Sequence, residues 1–275
     1  MTKNWLITGA SSGLGRGMTE RQLARGDAVV ATLRKPGALD DLRERYGERL
    51  HVVELDLTRL DTLRTAVAQA FAALPRIDVV VSNAGYGLFG AAEELDDARI
   101  EQQIATNLTG SMQWIRAVVP RLREQGGGRI VQVSSEGGRI AYPAFSAYHA
   151  TKWGIEGFVE AVAQEVAPFG IDFVIVEPGA TRTNFGAGLD RTQPMRVYDA
   201  TPVGEIRRAL DAGYFEFADA AKTVDAMIAT IDSASPPLRL ALGRSAYESI
   251  RASLIRQLEA LEAQKEIALS VMDKA

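Results

Sequence analysis

Short apolar runs rich in β-branched residues alternate along this chain with longer stretches whose apolar positions recur at helical spacing. The runs predict strands at 4–8, 28–33, 50–55, 77–82, 129–134, 171–176 and 238–242. None alternates strictly in polarity: Ile77-Asp-Val-Val-Val-Ser82 and Ile171-Asp-Phe-Val-Ile-Val176 are apolar on both faces, the mark of a parallel sheet covered by helices on both sides. Helices are expected at 14–25, 38–46, 59–74, 97–124, 148–167, 218–232 and 245–270, with Gly26, Gly126 to Gly128 and Gly170 as stop signals. Strand and helix in strict alternation, joined by right-handed crossovers, give an α/β fold: a single-domain, doubly wound parallel sheet occupying 1–275. The alternation breaks once, from Gly179 to Gly213, where Gly186, Gly188, Pro194, Pro202 and Gly204 interrupt it. Residues 180–215 are therefore expected to form a substrate lid, with about 186–213 mobile without ligand, and 244–272 a C-terminal helix.

Composition narrows the function. The chain has 275 residues, 47% hydrophobic and 24% charged, as in ordinary globular enzymes. It has no cysteine, which removes disulfides, thiolate nucleophiles and Cys-based metal sites, and its two histidines, His51 and His149, are too few for a His-rich one, so no metal is expected. A net charge of −4 argues against a nucleic-acid partner. Asn4-Trp-Leu-Ile-Thr8 follows Met1 without room for a signal peptide, and no apolar run is long enough for a membrane span, so the expected location is cytoplasmic.

Gly9, Gly13 and Gly15 stand between the first strand and the first helix, where glycines permit a tight turn and let a pyrophosphate approach the helix N-terminus. The spacing is G-x-x-x-G-x-G, and a plain glycine-rich turn would read the same way. The second strand ends Ala31-Thr-Leu-Arg-Lys35. An acid there would bind the ribose hydroxyl of NAD; Leu33 takes its place and Arg34 follows, a partner for the 2′-phosphate of NADP(H), which is expected to be preferred over NAD(H). The alternative is that Arg34 and Lys35 are a solvated loop pair.

Tyr148 and Lys152 are four residues apart, so a helix puts phenol and ammonium on one face, and Ser135 lies thirteen residues upstream of the tyrosine. A free tyrosine titrates near about 10, and a neighbouring cation shifts it toward phenolate, the direction acid–base work near neutrality requires. Alone, the pair is weak evidence; its conjunction with the glycine turn, Asn83-Ala84-Gly85 and Pro178-Gly179 carries the inference. Over residues 4–185 the chain resembles the short-chain dehydrogenase/reductase family, through Thr8-Gly-x-x-x-Gly-x-Gly15, Asp56-Leu57, Asn83-Ala-Gly85, Asn107, Ser134-Ser135, Tyr148-x-x-x-Lys152 and Pro178-Gly-x-x-x-Thr183. The resemblance implies a Rossmann-type fold and hydride exchange between NADP(H) and a carbonyl or secondary alcohol. Tyr148 would be the general acid or base, Lys152 would bind the nicotinamide ribose and depress the tyrosine, and Ser135 would hold the substrate oxygen. Asn107 would fix a water of a proton relay, unless it merely caps or packs, and Ser134 competes with Ser135 for the pocket. Ser11, Ser12, Gly13, Leu14 and Gly15 would meet the phosphates, Asp56 and Leu57 the adenine, Asn83, Ala84 and Gly85 the cleft wall. Pro178, Gly179, Thr181 and Thr183 would hold the carboxamide.

The charged C-terminal helix resembles the hydroxysteroid- and retinol-type branch and puts the family's common tetramer in question, bringing a homodimer or a monomer forward. Phe89, Tyr142, Phe145 and Phe185 are candidate pocket residues, with Tyr86, Leu88, Tyr214 and Phe215 beside them, suiting a medium to large hydrophobic ketone; the same rings read equally well as core. Two rival functions share the fold: a non-catalytic NADP-binding regulator or scaffold, and an epimerase or dehydratase acting on nucleotide sugars.

Overall fold

The structure is a computed structural model that describes residues 2–214 and 216–272; Phe215, one of the candidate pocket rings, lies outside the described residues. The chain runs β1 (Asn4–Thr8), α1 (Gly13–Arg25), β2 (Ala28–Leu33), α2 (Asp40–Tyr46), β3 (Leu50–Glu54), α3 (Leu60–Ala73) and β4 (Val79–Ser82). It continues through β5 (Leu88–Phe89), α4 (Asp97–Ile104), α5 (Ser111–Glu124), β6 (Gly128–Val133), α6 (Ser146–Val166), β7 (Ile171–Pro178) and β8 (Asp190–Arg191). The last elements are α7 (Pro202–Ala212), α8 (Ala220–Asp232), β9 (Arg239–Leu242), α9 (Arg244–Glu262) and α10 (Lys265–Ser270).

Seven strands form one parallel sheet in the order β3-β2-β1-β4-β6-β7-β9. Its two faces explain why the strands do not alternate in polarity. Leu6, Val30, Val80, Ile130 and Ile175 point to one side, against Leu63 and Val67 of α3, Trp114 and Val118 of α5, and Ile155 of α6. Their neighbours Ile7, Val29, Val81, Val131 and Val174 point to the other, against Met18 and Leu23 of α1 and Val224 and Met227 of α8. Each fully buried aliphatic side chain contributes about 1.5–3 kcal/mol, so both faces are strongly specified. The strand order reverses at β1, whose neighbours are β2 and β4, and a crevice opens beyond the carboxyl ends of β1 and β4 at this switch point. Among the described residues no helix is long and apolar enough to cross a membrane.

Three expected elements take another form. The C-terminal helix expected over 244–272 ends at Glu262 and resumes as α10 at Lys265. The helix expected over 97–124 is broken by a π turn at Ala105–Gly110, which carries Asn107. The stretch read as an unbroken interruption contains α7. Pro202 occupies its first turn, Thr201 caps it by accepting from the Val203 N–H, and Gly213 closes it in the left-handed conformation at φ 69°. Pro202 and Gly213, read as parts of a break, are its start and stop signals, and Gly204 lies within it.

Candidate active site

The glycine turn leaves β1 with positive φ at Gly9 (66°) and Gly13 (56°). A Cβ on Gly9 would lie 2.8 Å from Ala84 Cα, and one on Gly15 would lie 2.5 Å from both Asn83 Nδ2 and Gly9 O. Side chains are excluded because β4's exit presses on the turn. Asn83 fastens the two: its amide donates to Thr8 O at 2.9 Å and its backbone N–H to Thr8 Oγ1 at 2.8 Å. Asn83 thus supports the turn from beneath. The first turn of α1 has no side-chain cap and no acidic residue, so its N–H groups face an open cradle suited to phosphate, with Ser11 and Ser12 exposed at its rim. Thr183 closes over it, its Cβ 3.6 Å from where a Gly13 Cβ would be. The cradle fits a dinucleotide pyrophosphate.

At the other end of the crevice Arg34 is exposed and its charge is felt by Asp56 and Tyr86. Burial raises the Asp56 carboxyl, but the N–H and hydroxyl of Thr58, with Arg34 and Arg59, outweigh it and hold the group below its usual range. Leu33 corrects the sequence reading: it is 3% exposed and packs with Leu39, Leu42 and Leu50 in the core, so its position does not face the crevice. Side chains alternate along a strand, and Arg34 is the one that turns outward.

Tyr148 and Lys152 share a face of α6 as expected, the ammonium 5.7 Å from the phenol ring centroid. Both are buried, at 5% and 6% exposure, and Lys152 Nζ donates to Val133 O at 3.0 Å. The expected depression of the tyrosine does not occur. Burial pushes the phenol up to about 12, the hydrogen bond with Ser135 opposes this, and the charges of Glu136 and Glu156 add to it. Burial brings Lys152 down to about 8 against the pull of Glu156. In both groups desolvation is the largest cause. Ser135 hydrogen-bonds Tyr148, whereas Ser134 donates to Glu156. Asn107 spends both ends of its amide on Tyr86, accepting from its N–H at 3.1 Å and donating to its carbonyl at 2.8 Å, with Thr151 at 3.5 Å. Its side chain locks the exit of β4 to the π turn. Gly85 permits this, since a Cβ there would sit 3.1 Å from Asn107 Oδ1.

All four candidate pocket rings gather around Tyr148: Phe89 and Phe145 at 5.1 Å, Tyr142 and Phe145 at 5.3 Å, Phe185 and Tyr148 at 5.7 Å. Phe89 and Phe145 are buried; Phe185 is 41% exposed, and Tyr214, at 83%, stands in water. Sequence reading missed their companions Leu189, Val203, Ile206 and Leu210, although Val203, Ile206 and Leu210 carry the helical spacing that would have found them. Arg207 of α7 pairs with the buried Glu94 at 2.9 Å, tying that helix to the loop after β5. Ala144 adopts φ 68° beside the rings, where its carbonyl accepts from the Gly90 N–H at 2.9 Å.

Two further groups shape the site. His149 Nε2 accepts from the Tyr142 N–H at 3.2 Å, which leaves Nδ1 to donate to Gly137 O at 2.8 Å; the ring is a neutral clamp on the loop between Ser135 and Tyr148. Burial depresses its pKa, so the clamp contributes stability above the unfolded value near about 6.5 that is lost as pH falls through the lower folded value. Thermal unfolding between pH 7 and 5 is expected to show a steeper loss in wild type than in His149→Gln; parallel curves would refute the clamp. Behind Lys152, Arg239 of β9 reaches Glu156 at 2.7 Å, Glu160 at 2.8 Å and Glu177 in a buried cluster that also holds Ser134. Nearby, the Glu136 carboxyl bonds Ser245 of α9, and the charge of the Arg139 guanidinium is felt at Glu177.

Residues 3–194 match the family profile described as short chain dehydrogenase. The chain is 41% identical over 251 residues to oxidoreductase BOA17 of Botryotinia fuckeliana (strain B05.10), covering 90% of this chain and 91% of that one. A short-chain dehydrogenase from Streptomyces avermitilis superposes with TM-score 0.91 at 38% identity, covering 98% of both chains. One from Burkholderia cenocepacia J2315, solved in complex with NADP, superposes with TM-score 0.74 at 26% identity over 96% of this chain and 97% of that chain. With a sheet of this order, a glycine turn at its switch point and a buried Ser135–Tyr148–Lys152 group, the chain belongs to the short-chain dehydrogenase/reductase family and is an NAD(P)-dependent oxidoreductase.

Proposed function

We propose that the protein reduces a medium to large hydrophobic ketone with NADPH as the preferred cofactor. The observation that carries this reading is a buried phenol, held neutral through physiological pH, that opens onto an apolar ring cluster. A protonated Tyr148 is charged for donation to a carbonyl oxygen, and Ser135 orients that oxygen. Lys152 keeps a positive charge beside the phenol below about pH 8, stabilising the phenolate left behind. The bound nicotinamide supplies the hydride; the protein supplies position and the proton. Leu189, Val203, Ile206 and Leu210 serve as an apolar lid that excludes water from the reacting carbon. The retained serine, tyrosine and lysine favour an enzyme over a cofactor-binding regulator.

NADP preference rests on Arg34, which stands outward at the adenine end with Asp56 nearby. A charge-assisted contact with the 2′-phosphate is worth roughly 1.5–3 kcal/mol, so Arg34→Ala is expected to lower kcat/KM for NADPH about tenfold to a hundredfold and leave NADH nearly unchanged. Leu33 is left intact because a carboxylate there would enter the core. Fluorescence titration with both cofactors, then a carbonyl screen following loss of nicotinamide absorbance, tests the reading. A wild type that prefers NADH sinks the cofactor assignment, and turnover confined to small polar carbonyls sinks the substrate class.

A further inference from the structure

The end of the chain is built unlike the rest. The inner face of α9 packs Ala246, Ile250 and Ser253 on the body of the protein, and Ser253 Oγ donates to Arg139 O at 3.3 Å. From Leu254 to Met272 every described residue is exposed, including Leu254 (45%), Leu258 (59%) and Leu261 (63%). The two short helical pieces in this stretch, the end of α9 up to Glu262 and α10, are marginal in water with nothing packed against them. At about 100° per residue, Tyr247, Leu254, Leu258 and Leu261 fall in one stripe roughly 60° wide, turned by about 80° from the inner face. Such a stripe is the width of a helix-pairing seam.

The charges indicate what covers it. Arg244, Glu248, Arg251 and Arg256 give the first half, 244–256, a net +2, and Glu259, Glu262, Lys265 and Glu266 give 257–270 a net −2. A solitary helix prefers the reverse, acids near its N-terminus and bases near its C-terminus. An antiparallel neighbour of the same sequence removes the conflict: it sets each positive half against a negative half and each basic end beside the partner's negative dipole end. A parallel neighbour sets like against like.

We propose that α9 and α10 pair antiparallel with the same helices of a second copy of this chain across a two-fold axis, burying the Tyr247–Leu254–Leu258–Leu261 seam. The interface is isologous, so both halves of the charge pattern are satisfied twice. Because α9 also braces the loop that carries Ser135, through Ser253 and Ser245, the pairing steadies the catalytic segment of each copy.

Light scattering after size exclusion, with the full chain, tests this. Leu258→Glu with Leu261→Glu is expected to halve the wild-type mass while NADPH binding persists. Arg251→Glu with Arg256→Glu, and separately Glu259→Arg with Glu262→Arg, are each expected to halve it too. Mixing those two charge variants restores the wild-type mass, because one chain is then acidic along its whole length and the other basic, an outcome misfolded variants would not give. A monomeric wild type, an unchanged mass in the leucine variant, or failure of the mixture to associate overturns the proposal. So does binding of wild type to phosphatidylserine/phosphatidylcholine vesicles that is lost in the leucine variant without change of mass in solution, which assigns the seam to a membrane surface.

Discussion

Tyr148→Phe is expected to lower turnover by about 10²–10⁴-fold and to leave NADPH binding nearly intact. The substitution keeps the ring that packs 5.7 Å from Phe185 and 6.0 Å from Phe145, and removes only the hydroxyl that Ser135 bonds. Stability is expected to be little changed, since burial already disfavours the phenolate. Single-turnover rates and fluorescence titration in the same variant separate the two effects. Near-wild-type turnover would remove Tyr148 from the reaction; a parallel loss of NADPH affinity would make it a binding residue instead.

The largest effect on stability is expected at Arg239. Its guanidinium is the shared ion-pair partner of Glu156 and Glu177, whose side chains are each 3% exposed, and replacing it with methionine leaves two buried acids without that partner. Breaking such a group costs about 3–5 kcal/mol, or roughly 6–20 °C in Tm for a chain of this size. The deficit shrinks as pH falls: burial and the neighbouring Glu156 already push the Glu177 carboxyl up, and protonating it removes the unpaired charge. Calorimetry across pH checks both the size and the slope. An Arg239→Met variant that melts with wild type at neutral pH would show that the cluster holds nothing together.

What the sequence disclosed divides along lines of distance. Strands β1 and β2, the glycine turn and the Tyr148–Lys152 spacing are local patterns, and the structure keeps them, residue for residue in the two strands. The four aromatic candidates come together in space, Phe89 and Tyr142 on Phe145 and Phe185 on Tyr148. Misreadings arose where one residue type has two opposite uses. Pro202 and Gly213 break helices in mid-course but begin and end them at their termini, so α7 was hidden. Leu33 sits at the end of a strand, where apolar runs on both faces conceal which way a side chain points. The direction of the Tyr148 shift depends on how deeply the phenol is buried, which spacing does not report. Arg239 was out of reach altogether, because its partners Glu177 and Glu156 lie 62 and 83 residues away.

That last separation sets an order of events during synthesis. Lys152 and Glu156 emerge together on α6, but the cation that pairs Glu156 arrives 83 residues later, on the final strand of the sheet. At about 5–20 residues per second the ribosome leaves this acid without its partner for roughly 4–17 s. Until β9 is made, the cluster behind Lys152 is incomplete. A transcript cut short before Arg239 yields a chain that has Ser135, Tyr148 and Lys152 but lacks the cation that pairs Glu156 and Glu177 behind them.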